Sequence, residues 1–423
     1  MSDIAPLKSE AIHSEKEGHH RTMKGAKWVI PFLAAGVATC VAQPAQLAPA
    51  SDYGSAKAVR VCAADPALSP IDWHLNPSEA LVALDRSLNE LERLVHRAGA
   101  SGCDALVLPE DTLGALHWEM GNKASMNDVL PPAVARMLER LGRAAAVHRM
   151  YLICSSDVSE HDGSYRNTAF FLGRDGKEIG RYHKVHPTIG ESDRVRGATF
   201  PVFETPDLGG VGMLICYDMV MPEAARSLAL GGADVIFLPT MGGAVTAGDE
   251  EMNRAAFRTR AVDNFVYLIV AQRGGGSMII SPQGKVLAEG RRAGDIAIAE
   301  IDPLGGREGG DAHNVQRDMR ARLFRERNPA AYSILTDPNP PVLSKIPATI
   351  TVEEAVRIFA GTLTTGEERF AKAESLLRAG KVEAAARVFE ELRAEFPGTW
   401  IDRSAGERLA RIRADAKPQN RSR

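Results

Sequence analysis

Short apolar runs alternate with stretches of helical periodicity through the first half of the chain. The runs at 58–64, 105–108 and 151–154 are rich in apolar residues and predict buried strands. Leucine recurs at helical spacing across 77–98, and a second helical pattern covers about 132–148. Strands and helices that follow one another in this order predict an α/β domain.

The second half continues the alternation and adds strand pairs. Two predicted strands at 168–172 and 178–182 flank the turn-forming sequence Arg174-Asp175-Gly176-Lys177, which indicates a hairpin. Further strands are predicted at 211–216, 235–238, 266–271 and 278–281, and helices at 222–230 and 250–263. Helices between some strands and turns between others predict mixed sheets with helices layered on them.

The end of the chain departs from this pattern. Residues 336–350 hold four prolines and predict a linker, and residues 351–415 are predicted to be helical. Within the helical part, the spacing of small, aromatic and proline positions resembles a single tetratricopeptide repeat, at Ala373, Leu376, Gly380, Ala385, Phe389 and Pro397. Because such repeats need about three copies for stability, we expect this segment to pack on the main domain or to bind a protein partner. An ordinary helical hairpin without a binding role is the alternative.

Residues 1–50 form a third region. A basic segment precedes an apolar run at 28–42, and small residues with prolines follow as far as residue 50. This order is typical of a secretory signal peptide, and the run is shorter than the about 20 residues that span a membrane. We expect an export signal and linker, with membrane anchoring or a cytoplasmic location as alternatives. Cys40 follows Thr39, which is a poor match to a lipidation signal.

Composition restricts the class of protein. The chain has 423 residues, of which 44% are hydrophobic and 25% charged, as in globular proteins. A formal net charge of -3 gives no basic excess, so we expect no nucleic-acid partner. The five cysteines are widely scattered, and this predicts neither a disulfide framework nor a structural metal site. Cys62 and Cys154 lie in apolar runs and are expected to be inert core residues.

Three polar residues each follow a predicted buried strand. Glu110 comes after Leu108-Pro109, Lys184 ends the second strand of the hairpin, and Cys216 ends an apolar run. Sites of α/β folds lie where strands end. Taken singly, a glutamate or lysine at a strand end is more often a solvated charge, and such a cysteine is usually inert. The three positions together make the candidate site.

The sequences around these residues resemble the three motifs of the nitrilase, or carbon–nitrogen hydrolase, superfamily. The motifs are Leu108-Pro109-Glu110, Tyr182-His183-Lys184-Val185-His186 and Leu214-Ile215-Cys216-Tyr217-Asp218. Other pieces occur in the same order, namely Tyr165-Arg166-Asn167-Thr168-Ala169, Pro187, Gly190-Glu191, Pro222-Glu223, Gly232-Ala233-Asp234 and Arg260-Ala261-Val262-Asp263-Asn264. The resemblance runs from about 57 to 335 and implies a carbon–nitrogen hydrolase domain there.

The resemblance implies covalent catalysis by a Glu110–Lys184–Cys216 triad. Cys216 is expected to attack the carbonyl carbon, and Glu110 to act as general base and acid. Lys184 is expected to favour the thiolate and, with the Tyr217 backbone N–H, to stabilise the oxyanion. Glu191 matches the second glutamate of the family, which positions substrate or water. No cofactor and no metal are expected, and His183 and His186 are predicted to be hydrogen-bonded loop residues rather than zinc ligands.

The resemblance also implies a four-layer α-β-β-α sandwich that assembles at least as a homodimer. It leaves the reaction open, because the superfamily includes amidases and nitrilases. Tyr217-Asp218 after the cysteine is similar to many amidase branches, so hydrolysis of a small amide or carbamoyl amide is predicted. Nitrile hydrolysis, or a non-catalytic scaffold that uses the C-terminal helices, is the alternative. The loop at 272–277 is shorter than the family's usual pocket-shaping loop, and the small residues after Met241 suggest a roomier or more flexible substrate pocket.

Overall fold

A computed structural model gives the architecture of the chain. The residues that it describes are 58–191, 193–242, 250–303, 319–346, 369–370, 372–395 and 400–415. The predicted export signal and Cys40 lie outside the described residues. No helix in the described ranges is long and apolar enough to cross a membrane.

The described part of the chain contains twelve strands. They are β1 (Val59–Ala64), β2 (Ala105–Val107), β3 (Tyr151–Ser159), β4 (Tyr165–Leu172), β5 (Glu178–His183), β6 (Val202–Thr205), β7 (Gly209–Met213), β8 (Ala233–Thr240), β9 (Tyr267–Gln272), β10 (Ser277–Ile280), β11 (Val286–Gly290) and β12 (Ile296–Ile301). One six-stranded sheet has the order β12-β1-β2-β3-β4-β5, and the other has the order β11-β10-β9-β8-β7-β6. In each sheet three adjacent strands are parallel, β1–β3 in the first and β7–β9 in the second, and the remaining pairs are antiparallel.

Helices cover the outer faces of the sheets and form the end of the chain. They are α1 (Pro77–Ala100), α2 (Leu116–Gly121), α3 (Met126–Val147), α4 (Pro222–Leu230), α5 (Glu250–Asn264), α6 (Met319–Arg325), α7 (Val382–Glu395) and α8 (Trp400–Asp415). The start of α1 shows how the sequence sets a boundary. The side chain of Asn76 accepts a hydrogen bond from the Glu79 N–H at 3.0 Å, the Glu79 carboxylate accepts the Asn76 N–H at 3.0 Å, and Pro77 occupies the first turn.

Alternating side chains of β1 divide the core into two layers. Val61 and Ala63 face the second sheet, whereas Cys62 and Ala64 face α1 and α3 because successive residues of a strand point to opposite sides. Apolar residues of α4 and α5 pack on the far side of the second sheet. The result is the predicted α-β-β-α sandwich, and that prediction is confirmed.

Some boundaries differ from those that the pattern indicates. The helix predicted from about 132 begins at Met126, with Pro131 and Pro132 inside it. Proline usually marks the first turn, but the buried side chains of Met126 and Val129 extend this helix toward its N-terminus. The apolar pattern did not predict α2, β6, β11 or β12, because these helices and strands are short or only half-buried.

The scattered cysteines gave no sign of a disulfide framework, and the expectation that Cys62 is an inert core cysteine is wrong. Cys62 and Cys103 form a disulfide, with Cα atoms 6.0 Å apart. Cys62 lies on β1, and Cys103 comes two residues before β2, which pairs with β1 in parallel. The pairing of the strands brings together two cysteines separated by 41 positions, so spacing along the sequence could not reveal them. Of the cysteines in the described ranges, Cys154 and Cys216 are free.

The C-terminal helices form a small apolar core of their own. Residues 372–378 are helical and, with α7 and α8, surround the side chains of Phe370, Ala373, Ala385, Phe389, Leu392, Ile401, Ala405 and Leu409. Their resemblance to a tetratricopeptide repeat remains a prediction. The Ser69 hydroxyl donates to Glu407 at 3.2 Å, and Arg408 lies 3.7 Å from Asp72, so α8 contacts the loop before α1.

Candidate active site

Glu110 lies just beyond β2 with its side chain buried. Its Oε1 accepts hydrogen bonds from Lys184 Nζ at 2.8 Å and from Asn167 Nδ2 at 2.9 Å. Its Oε2 accepts the main-chain N–H of Met241 at 3.1 Å. Met241 follows β8 of the second sheet, so the carboxylate bridges the two sheets. Three donors therefore fix the orientation of the Glu110 carboxylate.

Lys184 follows β5 and is almost fully buried between two carboxylates. Its Nζ donates to Glu110 at 2.8 Å and to Glu191 Oε2 at 2.6 Å. Burial alone would lower the pKa of Lys184, but the charges of Glu110 and Glu191 outweigh it and raise the pKa well above its ordinary value. Lys184 is therefore a fixed positive charge at neutral pH.

Glu191 lies in a short 3-10 turn, Ile189–Glu191, and completes this network. It accepts hydrogen bonds from Asn167 Nδ2 at 2.6 Å and from the Thr188 N–H at 2.9 Å. Burial would raise the pKa of Glu191, yet Lys184 and these hydrogen bonds lower it. Asn167 donates to both glutamates and holds them on the two sides of the lysine.

Cys216 lies after β7, at the start of the 3-10 turn Cys216–Val220, with a φ of 44°. A non-glycine residue in this left-handed region is strained, and such strain clusters at functional sites. Burial, and then the negative charge of Glu110, raise the pKa of the Cys216 thiol to about 12, although Lys184 lowers it. Lys184 lowers the pKa of the thiol as expected, but burial and Glu110 raise it by more. The resting thiol therefore keeps its proton at neutral pH.

Asp218, which is fully buried, holds the turn after the nucleophile. Its Oδ2 accepts the Tyr182 hydroxyl at 2.7 Å and the Ile215 N–H at 3.0 Å. Its Oδ1 accepts the main-chain N–H of His186 at 2.9 Å and lies 2.9 Å from the Nδ1 of the same residue. The turn that carries Cys216 is thus tied to the loop that follows Lys184.

Arg273 supports the other end of the site. It follows β9, is buried, and donates through Nη2 to the carbonyl oxygens of Glu110, at 3.1 Å, and Asp111. Burial raises the pKa of the Asp111 carboxyl to about 7, opposed by the charge of Arg273. Asp111 has a φ of 50°, so the chain turns sharply just after Glu110.

Helix α2 is anchored next to the site by a buried ion pair. Arg194 Nη2 donates to Glu119 Oε2 at 3.0 Å, and Arg194 Nε donates to Asp157 Oδ2 at 2.7 Å. Burial, and then the charge of Asp157, raise the pKa of Glu119 well above its ordinary value. Arg194 also lies 2.9 Å from Asp193, and through Glu119 and Asp157 it joins this six-residue helix to β3.

A cavity of about 230 Å³ opens onto these groups. Its polar lining includes Glu110, Lys184, Glu191 and Cys216, and its other lining residues are Leu116, Met120, Thr188, Gly190, Met241 and Gly242. The predicted triad and second glutamate therefore share one cavity. Apolar side chains of α2 form the wall that faces these polar groups.

The remaining predicted positions, Tyr217, His183 and His186, are not among the residues that line this cavity. The Tyr217 side chain is 38% exposed; the expectation for Tyr217 concerns its backbone N–H and stays a prediction. The ring of His183 is hydrogen-bonded to Thr168 at 3.0 Å, and that of His186 to Asp218. No group of three His, Cys, Asp or Glu residues that could hold a metal occurs within the described ranges.

Four contributors were not assigned a role from the sequence. Asn167 and Asp218 stand inside the quoted motifs, so their positions carried a signal, but only the structure shows which groups they contact. Thr188 lies between two motif pieces. Arg273 follows a strand end as the other candidates do, and that shared position is the signal that could have identified it.

The fold and the site together define a hydrolase with a buried carboxylate–lysine pair beside a cysteine. The carbon-nitrogen hydrolase family model matches residues 75–308. The chain belongs to the carbon–nitrogen hydrolase family, and it is an enzyme of that class.

Individual relatives include amidases and nitrilases. A deaminated glutathione amidase from Synechocystis sp. is 32% identical over 241 residues, covering 52% of this chain and 87% of the relative. An omega-amidase from Xenopus laevis is 28% identical, covering 51% and 83%, and a nitrilase from Pyrococcus abyssi is 28% identical, covering 59% and 96%. A mutant of the amidase from Nesterenkonia sp. AN1 shares the fold, with a TM-score of 0.51, 20% identity and coverage of 65% and 95%.

Proposed function

We propose that this enzyme hydrolyses the C–N bond of a small amide through a thioester on Cys216. The observation that carries the proposal is the shared cavity. A thiol whose pKa is about 12 opens onto the same space as Glu110, which Lys184, Asn167 and Met241 hold in place. A protonated nucleophile needs an adjacent base, and Glu110 is a carboxylate in that position.

In the first half of the reaction, Cys216 Sγ attacks the carbonyl carbon while its proton passes to Glu110. The C=O π electrons move to oxygen and give an oxyanion, which Lys184 Nζ and the Tyr217 backbone N–H would stabilise. The tetrahedral intermediate collapses, the C–N bond breaks, and Glu110 returns the proton to the leaving nitrogen. Ammonia or an amine departs, and the acyl group remains on sulfur.

In the second half, water attacks the thioester. Glu110 takes a proton from the water, a second oxyanion forms, and the C–S bond breaks. The carboxylic acid leaves, and the proton returns to the thiolate. Glu191 lines the cavity and fixes Lys184 at 2.6 Å; we assign it the positioning of Lys184 and of the substrate or the water.

The lining supports a substrate with a short aliphatic acyl group. Leu116, Met120 and Met241 supply apolar surface opposite the polar groups, in a cavity of about 230 Å³. Tyr217-Asp218 after the nucleophile, together with the amidases among the relatives, supports an amide rather than a nitrile.

The test is ammonia release from a panel of aliphatic amides, carbamoyl amines and nitriles. We expect the full chain to release ammonia from amides and the C216A variant to lose at least about three orders of magnitude in rate. Cys154→Ala is the matched control, because Cys154 is the other free cysteine of the described ranges and is buried on β3. Equal activity of C216A and the wild type would contradict the proposal, and release from nitriles alone would move the assignment to nitrile hydrolysis.

We also propose that the protein is exported. The disulfide between Cys62 and Cys103 supports this location, because disulfides persist in oxidising compartments and are rare in the cytosol. The predicted signal in residues 1–50 supplies the route.

We further propose that the enzyme is a homodimer. Residues 329–346, which we call the apolar arm, form two 3-10 turns whose large apolar side chains are exposed. These side chains are Tyr332, Ile334, Leu335, Val342, Leu343 and Ile346. Large exposed apolar side chains concentrated in one segment favour an interaction site, and a second copy of the chain would cover them.

A further inference from the structure

A second cavity lies between the hydrolase domain and the C-terminal helices. It measures about 300 Å³, within the range of small-molecule sites. The loop before α1, together with α1 and α2, forms one side, and α8 with Phe370 forms the other. The contacts of Ser69 with Glu407 and of Asp72 with Arg408 join the two sides. The cavity is therefore a built part of the fold.

Two arginines of this cavity have no partner among the residues that the structure describes. Arg86 of α1 and Arg411 of α8 line it from opposite sides, and neither forms a hydrogen bond or ion pair with any residue in the described ranges. The third arginine, Arg408, forms ion pairs with Glu374, at 2.5 Å, and with Asp72. Arg86 and Arg411 thus face the cavity with their donors unused.

The charges that line the cavity favour an anion. Its lining includes three arginines but only two carboxylates, those of Asp72 and Glu407. Asp72 is already held by His74 and Arg408, and Glu407 by Ser69. An arginine offers paired N–H donors that match the two oxygens of a carboxylate.

The apolar lining favours an anion with a flat apolar body. Trp73 and Phe370 both line the cavity, and Phe370 is almost fully buried against Phe389. Aromatic side chains provide large rigid contact areas for planar groups. A simple inorganic ion would make no use of the half-buried Trp73 ring.

We propose that this cavity binds a small organic carboxylate, with Arg86 and Arg411 holding the carboxylate and Trp73 and Phe370 contacting the apolar body. The site is separate from the catalytic cavity. Helix α2 divides them, since His117 lines the new cavity while Leu116 and Met120 line the catalytic one.

The test is isothermal titration of the full chain with benzoate, and with benzyl alcohol as the uncharged probe. We expect benzoate to bind and benzyl alcohol to give no heat. In the double variant R86Q and R411Q, the dissociation constant for benzoate should rise at least about tenfold, because two charge-assisted hydrogen-bonding groups are removed. Arg93→Gln is the matched control, on the same helix with its side chain 65% exposed.

Both arginines are exposed and form no hydrogen bond or ion pair within the described part of the chain, so their replacement should not unfold the protein. Thermal melting checks this. The double variant R86K and R411K keeps the charges without the forked geometry and should bind with intermediate affinity. Absence of benzoate binding to the wild type would overturn the proposal. Unchanged binding in the glutamine variant would place benzoate elsewhere, such as the catalytic cavity, and would overturn it equally.

Discussion

The guanidinium of Arg273 donates to the main-chain carbonyl oxygen of Glu110 at 3.1 Å. Arg273 follows β9 of the second sheet, and Glu110 follows β2 of the first. A cation from the second sheet thereby fixes the end of the first-sheet strand that carries Glu110, the candidate general base. Together with the N–H of Met241, which reaches the Glu110 side chain, this contact sets where the carboxylate lies.

Arg273→Gln tests that role. We expect kcat to fall about 10- to 100-fold with a smaller change in KM, because the base is displaced rather than removed. Arg273→Lys should recover part of the loss. Arg291→Gln, whose side chain is 84% exposed, is the control. Steady-state kinetics measure kcat and KM, with the variants and the wild type compared at equal concentrations of folded protein. An unchanged kcat in R273Q would contradict the positioning role.

The hydrogen bond between Tyr182 and Asp218 predicts energetic coupling. Both residues are buried and their oxygens are 2.7 Å apart. In a double-mutant cycle with Tyr182→Phe and Asp218→Asn, urea unfolding should give an interaction energy of about 0.5–3 kcal/mol. D218N alone should also lower kcat, since Asp218 holds the turn of Cys216. Tyr151→Phe, whose hydroxyl bonds Asp207, is the control outside the site. Additive effects of Y182F and D218N would show that the contact is weak.

The disulfide predicts a dependence of stability on reductant. Cys62 and Cys103 close a loop with a sequence separation of 41, for which loop-closure entropy gives about 4 kcal/mol. Reduction, or Cys103→Ala, should lower the free energy of unfolding by an amount of that order. Urea titrations with and without dithiothreitol measure it, with C103A as the form that reductant cannot affect. Identical midpoints for the wild type in both conditions would contradict the prediction.

Asp111 predicts a pH dependence of stability. Its pKa is raised to about 7 from 3.8 in the folded state, so the folded protein binds this proton more tightly than the unfolded chain. The stability that the group contributes is fully present below about pH 4 and is lost as the pH rises through about 7.

Asp111→Asn removes this titration while keeping an oxygen for the Ala115 N–H. Relative to the wild type, D111N should gain stability between about pH 4 and 7, by up to about 4 kcal/mol. Urea unfolding across this range measures the difference, and Asp175→Asn in the exposed hairpin turn is the control. A difference that is constant with pH would contradict the assignment.

In the proposed homodimer, a single charge in the apolar arm should separate the two copies. Leu335 is 60% exposed, and a carboxylate there would have to be buried against the second copy. Leu335→Asp should therefore halve the mass measured by light scattering after size-exclusion chromatography. Val147→Asp, at the end of α3 with a side chain 72% exposed, should leave the mass unchanged. A wild-type protein that is already monomeric would end the dimer proposal.

The sequence allowed the layers of the fold to be predicted because the period of apolar positions follows burial directly. The alternation in β1 and the leucine repeat of α1 are the two sides of one packing contact. The start of α3 could not be predicted, since Pro131 and Pro132 signal a first turn and only the packing of Met126 overrides that signal.

For the site, the position after a strand end singled out Glu110, Lys184 and Cys216, and the structure places all three around one cavity. Their partners could not be derived in this way. Contacts such as that of Arg273 with Glu110, or of Cys62 with Cys103, depend on the order of strands across a sheet and on the packing of two sheets. No local pattern records that order.

The division of the site between the sheets has a consequence for biosynthesis. The carboxylates and the lysine come from the first sheet, and Cys216 comes from the second, which follows later in the chain. A growing or partly folded chain therefore holds its thiol apart from the groups that would activate it. Hydrolysis of an amide requires Glu110 and Lys184 beside the thiol, so the enzyme becomes active only when the two sheets have docked.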